Sequence, residues 1–409
     1  MRVNDMDKDE GQEQPIVSFQ VITDMHITGD SQHAHNQNVR AVLQDITTTD
    51  PNSDALIMLG DNTDSGREEE YREFERIFRA YEAVLPATYF IQGNHDVRWG
   101  DWTLHAERFK TYTKMTSHYY DVWIKGIHFI FLGTERGLKD YSYLSKSQLQ
   151  WLEEKLEEDQ SGDKPVFVFH HQPLKNTVAG ANESYHENNF WYGVRQDREL
   201  KQLLAKHPRA IMFSGHTHWE LGSKDTMVET PYATLFHTGA ASYLWSEEHG
   251  HRSGSQGYFV EVYKDRVLVR GRDFLSSSWL AAAQFEVSLT MPRQVDEAHQ
   301  EPDLTISHPS FVLDKEMYKV GESIQATYSG SVWKDWIGIF PAGVKLGKSV
   351  SALAVLRPCD FGQPDGHLLF EDIGLPSGEY EAIYVGEAEY RTENDHLELE
   401  RVKFKIVEG

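Results

Sequence analysis

The stretch ALIMLGDNTD, residues 55–64, runs from a short apolar segment straight into a loop carrying Asp61, Asn62 and Asp64. A run of about six apolar residues has the length of a strand rather than of a helix. Glycine at its end lets the backbone turn sharply and approach a ligand closely. The same pairing of run and polar loop recurs outward in both directions. IVSFQVIT (16–23) leads into D-M-H at Asp24 to His26, and ATYFIQG (87–93) into G-N-H-D at Gly93 to Asp96. PVFVFH (165–170) leads into H-H-Q-P at His170 to Pro173, and AIMFSG (210–215) into G-H-T-H at Gly215 to His218. Further runs are IHFIFLG (127–133), TLFHTG (234–239), YFVEVY (258–263) and VLVRG (267–271). Short strands separated by polar and helical stretches predict a layered α/β or α+β domain.

Two of the intervening stretches read as helices. REEEYREFERIFRAYEAV (67–84) sets Tyr71, Phe74, Phe78 and Tyr81 at three- and four-residue spacing, the period of an amphipathic helix. SKSQLQWLEEKLEED (145–159) places Leu149, Leu152 and Leu156 on one face behind Ser145 as N-cap.

The texture changes along the chain. Residues 1–14 are acidic and polar without an apolar core, which reads as a disordered tail and not as a secretory signal. Residues 15–290 carry the α/β rhythm, and 291–303, with two prolines and few apolar residues, read as a linker. From 304 to 409 only strand-like pieces follow (SFVL, SIQATYS, WIGIF, EYEAIYV, RVKFKIV), the pattern of a small all-β sandwich.

Composition narrows the function classes. Forty Lys and Arg against 64 Asp and Glu give a net charge of −24 over 409 residues, a surface that repels polyanions, so no nucleic-acid partner is expected. No stretch approaches the roughly 20 apolar residues of a membrane span, and the single Cys359 cannot form an internal disulfide. The expected setting is therefore cytoplasmic. Histidine, the commonest metal ligand, occurs 20 times.

The polar loops share one placement. Loops at the carboxyl ends of strands are where open α/β sheets gather ligands, so the five can converge. Asp24/His26 and His216/His218 are i, i+2 pairs, which in extended backbone point to the same side. In the fourth loop either His170 or His171 can face the site, since neighbours in a strand point opposite ways; His170 is favoured. A D-x-H or H-x-H alone says little, but five such pieces in order, each at a strand end, point to a metal centre.

These residues resemble the calcineurin-like metallophosphoesterase superfamily, on its cyclic nucleotide phosphodiesterase and purple acid phosphatase side, in all five blocks over residues 16–275. The resemblance implies a four-layer α/β/β/α sandwich of two mixed sheets. It further implies two metals bridged by one carboxylate: Asp24, His26, Asp61 and His218 on the first, and Asp61, Asn94, His170 and His216 on the second. Oxygen and nitrogen donors without thiolate suit Mn, Fe or Zn. By the same resemblance a hydroxide bridging the metals attacks a phosphate ester, His95 protonates the leaving oxygen, and Asp64 orients the His95 imidazole and holds it charged. Asp96 is expected to cap the loop or helix start.

The substrate on this reading is a small phosphodiester or phosphomonoester. The loop 175–197, with Tyr185, His186, Phe190, Trp191, Tyr192 and Arg195, is an aromatic and cationic candidate for holding its flat part. DWIGIFPAG (335–343) and LPSGEYEAIYV (375–385) resemble stretches of the immunoglobulin-like or fibronectin-like domains that accompany some purple acid phosphatases, and the WIG motif is similar to one in SKICH membrane-targeting domains. The β domain is therefore expected to be accessory, packing on the catalytic domain or contacting a partner protein. The alternatives are a metal-dependent nuclease, disfavoured by the charge, and a non-catalytic scaffold of the same fold, disfavoured because every ligand is present.

Overall fold

The computed structural model describes residues 13–99, 101–158, 163–181, 193–295, 311–329, 335–346, 350–357, 366–371, 373–387 and 396–408. Most of the tail expected over 1–14, the linker residues 296–303, Cys359 and the aromatic part of the loop at 182–192 lie outside these residues.

In chain order the first region contains β1 (Val17–Ile22), α1 (Ala34–Thr49), β2 (Ala55–Leu59), α2 (Glu68–Arg79), β3 (Ala87–Ile91), α3 (Asn94–Val97) and α4 (Trp102–Thr113). It continues with β4 (Tyr120–Ile124), β5 (Ile127–Phe131), α5 (Lys146–Glu157), β6 (Val166–Phe169), α6 (Asp197–Ala205) and β7 (Ala210–Ser214). Then come β8 (Met227–Glu229), β9 (Thr234–His237), β10 (Leu244–Ser246), β11 (Gly250–Arg252), β12 (Gln256–Val262), β13 (Arg266–Asp273) and β14 (Ser278–Ser288). All nine apolar runs of the first region form strands.

One six-stranded sheet has the order β14-β13-β12-β1-β2-β3, the other β4-β5-β6-β7-β9-β8. Both are mixed: β1, β2 and β3 run parallel, as do β5, β6, β7 and β9, while antiparallel strands complete each sheet. Between the sheets lies an aromatic core in which Phe19, Phe129, Phe167, Phe169, Phe213, Phe236 and Tyr258 are buried. On the outer face of the first sheet Val39, Val42, Leu43 and Ile46 of α1 pack with Tyr71, Phe74 and Ile77 of α2. On the outer face of the second, Leu152 and Leu156 of α5 pack with Leu200 and Leu204 of α6. The chain thus has the expected four layers. Burial on both faces explains why the central strands read as continuous apolar runs. Ser145 caps α5 as expected, its Oγ accepting from Gln148 N–H at 3.2 Å.

The second region contains β15 (Phe311–Leu313), β16 (Met317–Lys319), β17 (Ile324–Tyr328), β18 (Trp336–Pro341), β19 (Ala354–Leu356), β20 (Gly366–Phe370), β21 (Gly378–Glu387) and β22 (His396–Val407). They form a three-stranded sheet, β15-β17-β20, and a five-stranded one, β16-β22-β21-β18-β19. A separate core including Phe311, Tyr328, Ile339, Phe370, Tyr384 and Phe404 joins them. Among the described residues no helix is long and apolar enough to cross a membrane.

Candidate metal centre

The parallel strands of both sheets end at the same edge, and the polar loops begin there. Asp24 and His26 follow β1, Asp61 and Asp64 follow β2, Asn94 and His95 open α3 after β3, His170 and His171 follow β6, and His216 and His218 follow β7. Five of these residues hold left-handed backbone: Asp24 (φ 53°), His26 (φ 44°), Asp61 (φ 48°), His216 (φ 71°) and His218 (φ 57°). The two i, i+2 pairs therefore converge by left-handed turns rather than by the extended backbone expected of them. Such conformations cost about 1–3 kcal/mol each and persist where the surroundings over-determine them. Here cross-strand bonds do so: Asp24 N–H donates to Gly60 O and His26 N–H to Asp61 O, both at 3.0 Å. Glycine is required where the loops meet. A Cβ on Gly60, itself at φ 94°, would lie 2.6 Å from His171 Nδ1, and one on Gly93 would lie 2.1 Å from Asp61 Oδ1.

The ligand atoms of Asp24, His26 and His218 lie within 4.8 Å of one another, as do those of His26, Asp61 and His95, and those of Asp61, His171 and His216. His218 Nε2 is 3.0 Å from Asp24 Oδ1, and His171 Nε2 is 3.2 Å from Asp61 Oδ2. Asn94 Oδ1 lies 3.0 Å from His216 Nδ1 and so joins the last group. Backbone donors fix the remaining carboxylate oxygens: His216 N–H to Asp24 Oδ2 at 2.9 Å and His95 N–H to Asp61 Oδ1 at 2.8 Å.

The donor set fits cations. Asp24 Oδ1 and His171 Nε2 are buried without a hydrogen bond, and the Nε2 atoms of His26 and His218 face each other at 3.1 Å. Burial opposes charge on His26, yet hydrogen bonds to Asp24 and Asp64 lift its pKa to about 10. Burial likewise opposes charge on His171, but the Asp61 and Asp24 charges lift it to about 9. The buried carboxylates draw positive charge into the cluster, which bound cations would supply in place of protons.

The geometry corrects the expected choice of His170. His170 Nε2 lies 2.8 Å from Ser142 Oγ and its Nδ1 3.2 Å from Leu132 O, on the helix side of the sheet. His171 Nδ1 is 2.8 Å from Leu59 O, which leaves Nε2 facing Asp61. The reason is strand parity. Phe167 and Phe169 point into the core between the sheets, Val166 and Val168 toward the helices, and His171 continues the first set.

Asp64 also differs from expectation. Its carboxylate Oδ1 is 3.4 Å from His26 Nδ1, and only its carbonyl oxygen meets His95, at 2.7 Å from Nδ1. The carboxylate is thus not the partner of the His95 ring. Burial, followed by the nearby His26 and Arg98 charges and against that of Asp61, pushes His95 down to about 4. Asp96 ties the loops together as expected, accepting from Gly93 N–H, Asn62 N–H, Thr63 N–H and Tyr71 O–H.

Three more neighbours complete the surroundings, of which Arg98 and Asp140 were not singled out in the sequence. Arg98 Nη1 is 3.1 Å from His95 Nε2 and 2.7 Å from Asp140 Oδ1. Asp140 also accepts from Asn94 Nδ2 at 3.3 Å. Tyr243 stacks on His218 with ring centroids 4.1 Å apart. Arg98 could have been found, since it stands three residues after His95 at the end of one helical turn. Asp140 and Tyr243 come from distant loops with no local signal. Arg195, expected over the substrate, is instead buried against Asp335 of the second region. A further group, Asp121, His128 and Glu158, lies elsewhere; there Lys155 Nζ, 3.2 Å from Asp121 and 2.7 Å from Glu158, already supplies the cation.

Residues 18–220 match the family described as calcineurin-like phosphoesterase. The chain is 28% identical over 211 residues to a probable glycerophosphodiester phosphodiesterase of Arcobacter nitrofigilis, covering 48% of this chain and 70% of that protein. It is 26% identical over 215 residues to a 3',5'-cyclic-nucleotide phosphodiesterase of a Nostoc species, covering 50% and 72%. Among solved structures, a purple acid phosphatase from yellow lupin seeds superposes with a TM-score of 0.50 at 13% identity, covering 71% of this chain and 57% of that one. The chain thus spans little more than half the length of that structure, and the likeness is one of fold.

Proposed function

Residues 18–220 belong to the calcineurin-like phosphoesterases, and from that premise we propose that the chain hydrolyses a small phosphodiester at a two-metal centre. The observation that carries this reading is the membership of Asp61 in two of the ligand groups, one with His26 and one with His171 and His216. In this proposal Asp24, His26, Asp61 and His218 hold one metal, and Asp61, Asn94, His171 and His216 the other. Two ions so held, of the Mn, Fe or Zn type, would supply Lewis acidity and lower the pKa of the attacking water.

The chain's own residues do the rest. His95 donates Nδ1–H to Asp64 O and its Nε2 accepts from Arg98 here. In this proposal Nε2 therefore carries a proton to the leaving oxygen only once a bound phosphate takes over the guanidinium and its charge offsets the burial that keeps the ring neutral. Arg98, anchored by Asp140, places a guanidinium beside that nitrogen, where it can hold a phosphoryl oxygen. The carboxylate of Asp64, 43% exposed, steadies His26 rather than His95. A diester is favoured over a monoester because the curated relatives are named for diester chemistry. We take 15–290 as the catalytic domain and 304–409 as an accessory β-sandwich, in keeping with the described strands on either side, which end at Ser288 and begin at Phe311.

The test is elemental analysis combined with hydrolysis of bis(4-nitrophenyl) phosphate and 4-nitrophenyl phosphate. Metal-dependent hydrolysis of the diester ahead of the monoester is expected. Equal activity before and after complete chelation would remove the proposal.

A further inference from the structure

Arg195 and Asp335 join the two regions through a buried ion pair. Arg195 Nη2 donates to both carboxylate oxygens, at 2.9 and 2.8 Å, and the side chains are 6% and 0% exposed. The acceptor is built into the β-sandwich: Asp335 immediately precedes β18, and Tyr384 of the adjoining β21 donates its O–H to Asp335 Oδ2 at 3.2 Å. A Cβ on Gly386, also of β21, would lie 3.2 Å from Arg195 Nη2, so the guanidinium lies flat against that strand.

The backbone of Arg195 leads the other way. Arg195 N–H donates to Ser142 O at 3.0 Å and Ser142 N–H to Gly193 O at 2.9 Å, a short parallel bridge. Leu144 N–H donates to Gln196 Oε1 at 2.8 Å. The segment so held carries one side chain that reaches the candidate metal centre and one that holds the histidine beside a candidate ligand. Ser142 Oγ meets His170, the residue before His171, and Asp140 meets both Arg98 and Asn94.

From this chain of contacts we propose that Arg195 and Asp335 are positioning residues through which the β-sandwich sets Asp140, and with it Arg98 and Asn94, at the metal centre. The accessory region is then part of the machinery that orders the site. A buried ion pair is weak evidence for stability, since an apolar pair of similar volume can replace it at little cost. What distinguishes this one is that both its ends continue into hydrogen-bonded structure, one into the sandwich and the other into the wall of the site. The inference rests on the metal-site reading for its functional consequence, but the positioning itself is measurable without metal or substrate.

The experiment uses the full chain carrying R195M together with D335L, which replaces both charges at once, and D335N as a milder second variant. Backbone hydrogen exchange is followed by mass spectrometry in metal-free protein, because exchange reports local opening directly. Peptides covering 139–144 and 93–99 are expected to exchange about tenfold faster in the variants, with β1, β2 and β21 unchanged. In metal-loaded protein, kcat for bis(4-nitrophenyl) phosphate is expected to fall about tenfold with KM and metal content near wild type, since small misplacements at a site carry large rate penalties. Unchanged exchange at 93–99 in a folded double variant overturns the proposal, as does acceleration that stops at 139–144. Wild-type protein inactive on the diester would instead overturn the functional reading, and the exchange data would still decide the positioning.

Discussion

Asp61 Oδ2 stands 3.2 Å from His171 Nε2, a contact between the end of β2 in one sheet and the end of β6 in the other. The same oxygen is 3.6 Å from His26 Nε2, so one carboxylate links residues carried by three strands. Asp61→Asn should therefore lower the content of both metals, whereas Asp24→Asn should deplete chiefly one. Elemental analysis of the two variants checks this; an Asp61→Asn protein with wild-type metal content would remove Asp61 from the bridge.

The parity of β6 separates the two adjacent histidines. His171→Ala should lose about one metal per chain and nearly all activity. His170→Ala should keep both metals but lose about 1–3 kcal/mol of stability, because it leaves the buried partners of its ring without a hydrogen bond. Denaturant unfolding and metal analysis of the pair give the answer, and the opposite pattern would restore His170 as the ligand.

His95→Ala should leave metal content near wild type and slow esters with poor leaving groups by about 10²–10⁴-fold. A nitrophenyl leaving group needs no proton and should suffer much less. Equal losses on an alkyl and a nitrophenyl ester would show that His95 does not protonate the leaving oxygen.

Stability and chemistry should separate at Asp45. Its carboxylate receives Arg272 Nε and Nη2 at 2.8 Å each and ties α1 to β13, remote in sequence from the ligand loops. Asp45→Ala should cost about 3–5 kcal/mol by leaving a buried guanidinium without its carboxylate, with metal stoichiometry retained in the folded protein. Loss of metal at temperatures where the variant remains folded would mean that α1 also positions the site.

Much of this was legible because the physics is local. The central runs are buried along almost their whole length, so IVSFQVIT and ALIMLG announce central strands, and the loops behind them announce the site. The i, i+3, i+4 period of α1 was also present, with Val39, Val42, Leu43 and Ile46 buried, although only α2 and α5 were singled out as helices. Strand β14 was not anticipated because SWLAAAQFEVS is Ala-rich without strict alternation and lies at a sheet edge, where most of its positions are exposed. The choice between His170 and His171 needed tertiary knowledge of which face of β6 meets the other sheet, though alternating Phe and Val carried a trace of it. Asp140 and Tyr243 reach the site from loops whose sequence has no periodicity, and the roles of Arg195 and Asp335 depend on how two regions with separate cores meet.

Sharing of Asp61 by two metals is read out by electron paramagnetic resonance of the protein saturated with Mn(II). The wild type should show an exchange-coupled pair, replaced in Asp61→Asn by the six-line spectrum of isolated ions or by loss of bound metal. A saturated wild type showing only isolated Mn(II), unaltered by Asp61→Asn, would contradict that sharing.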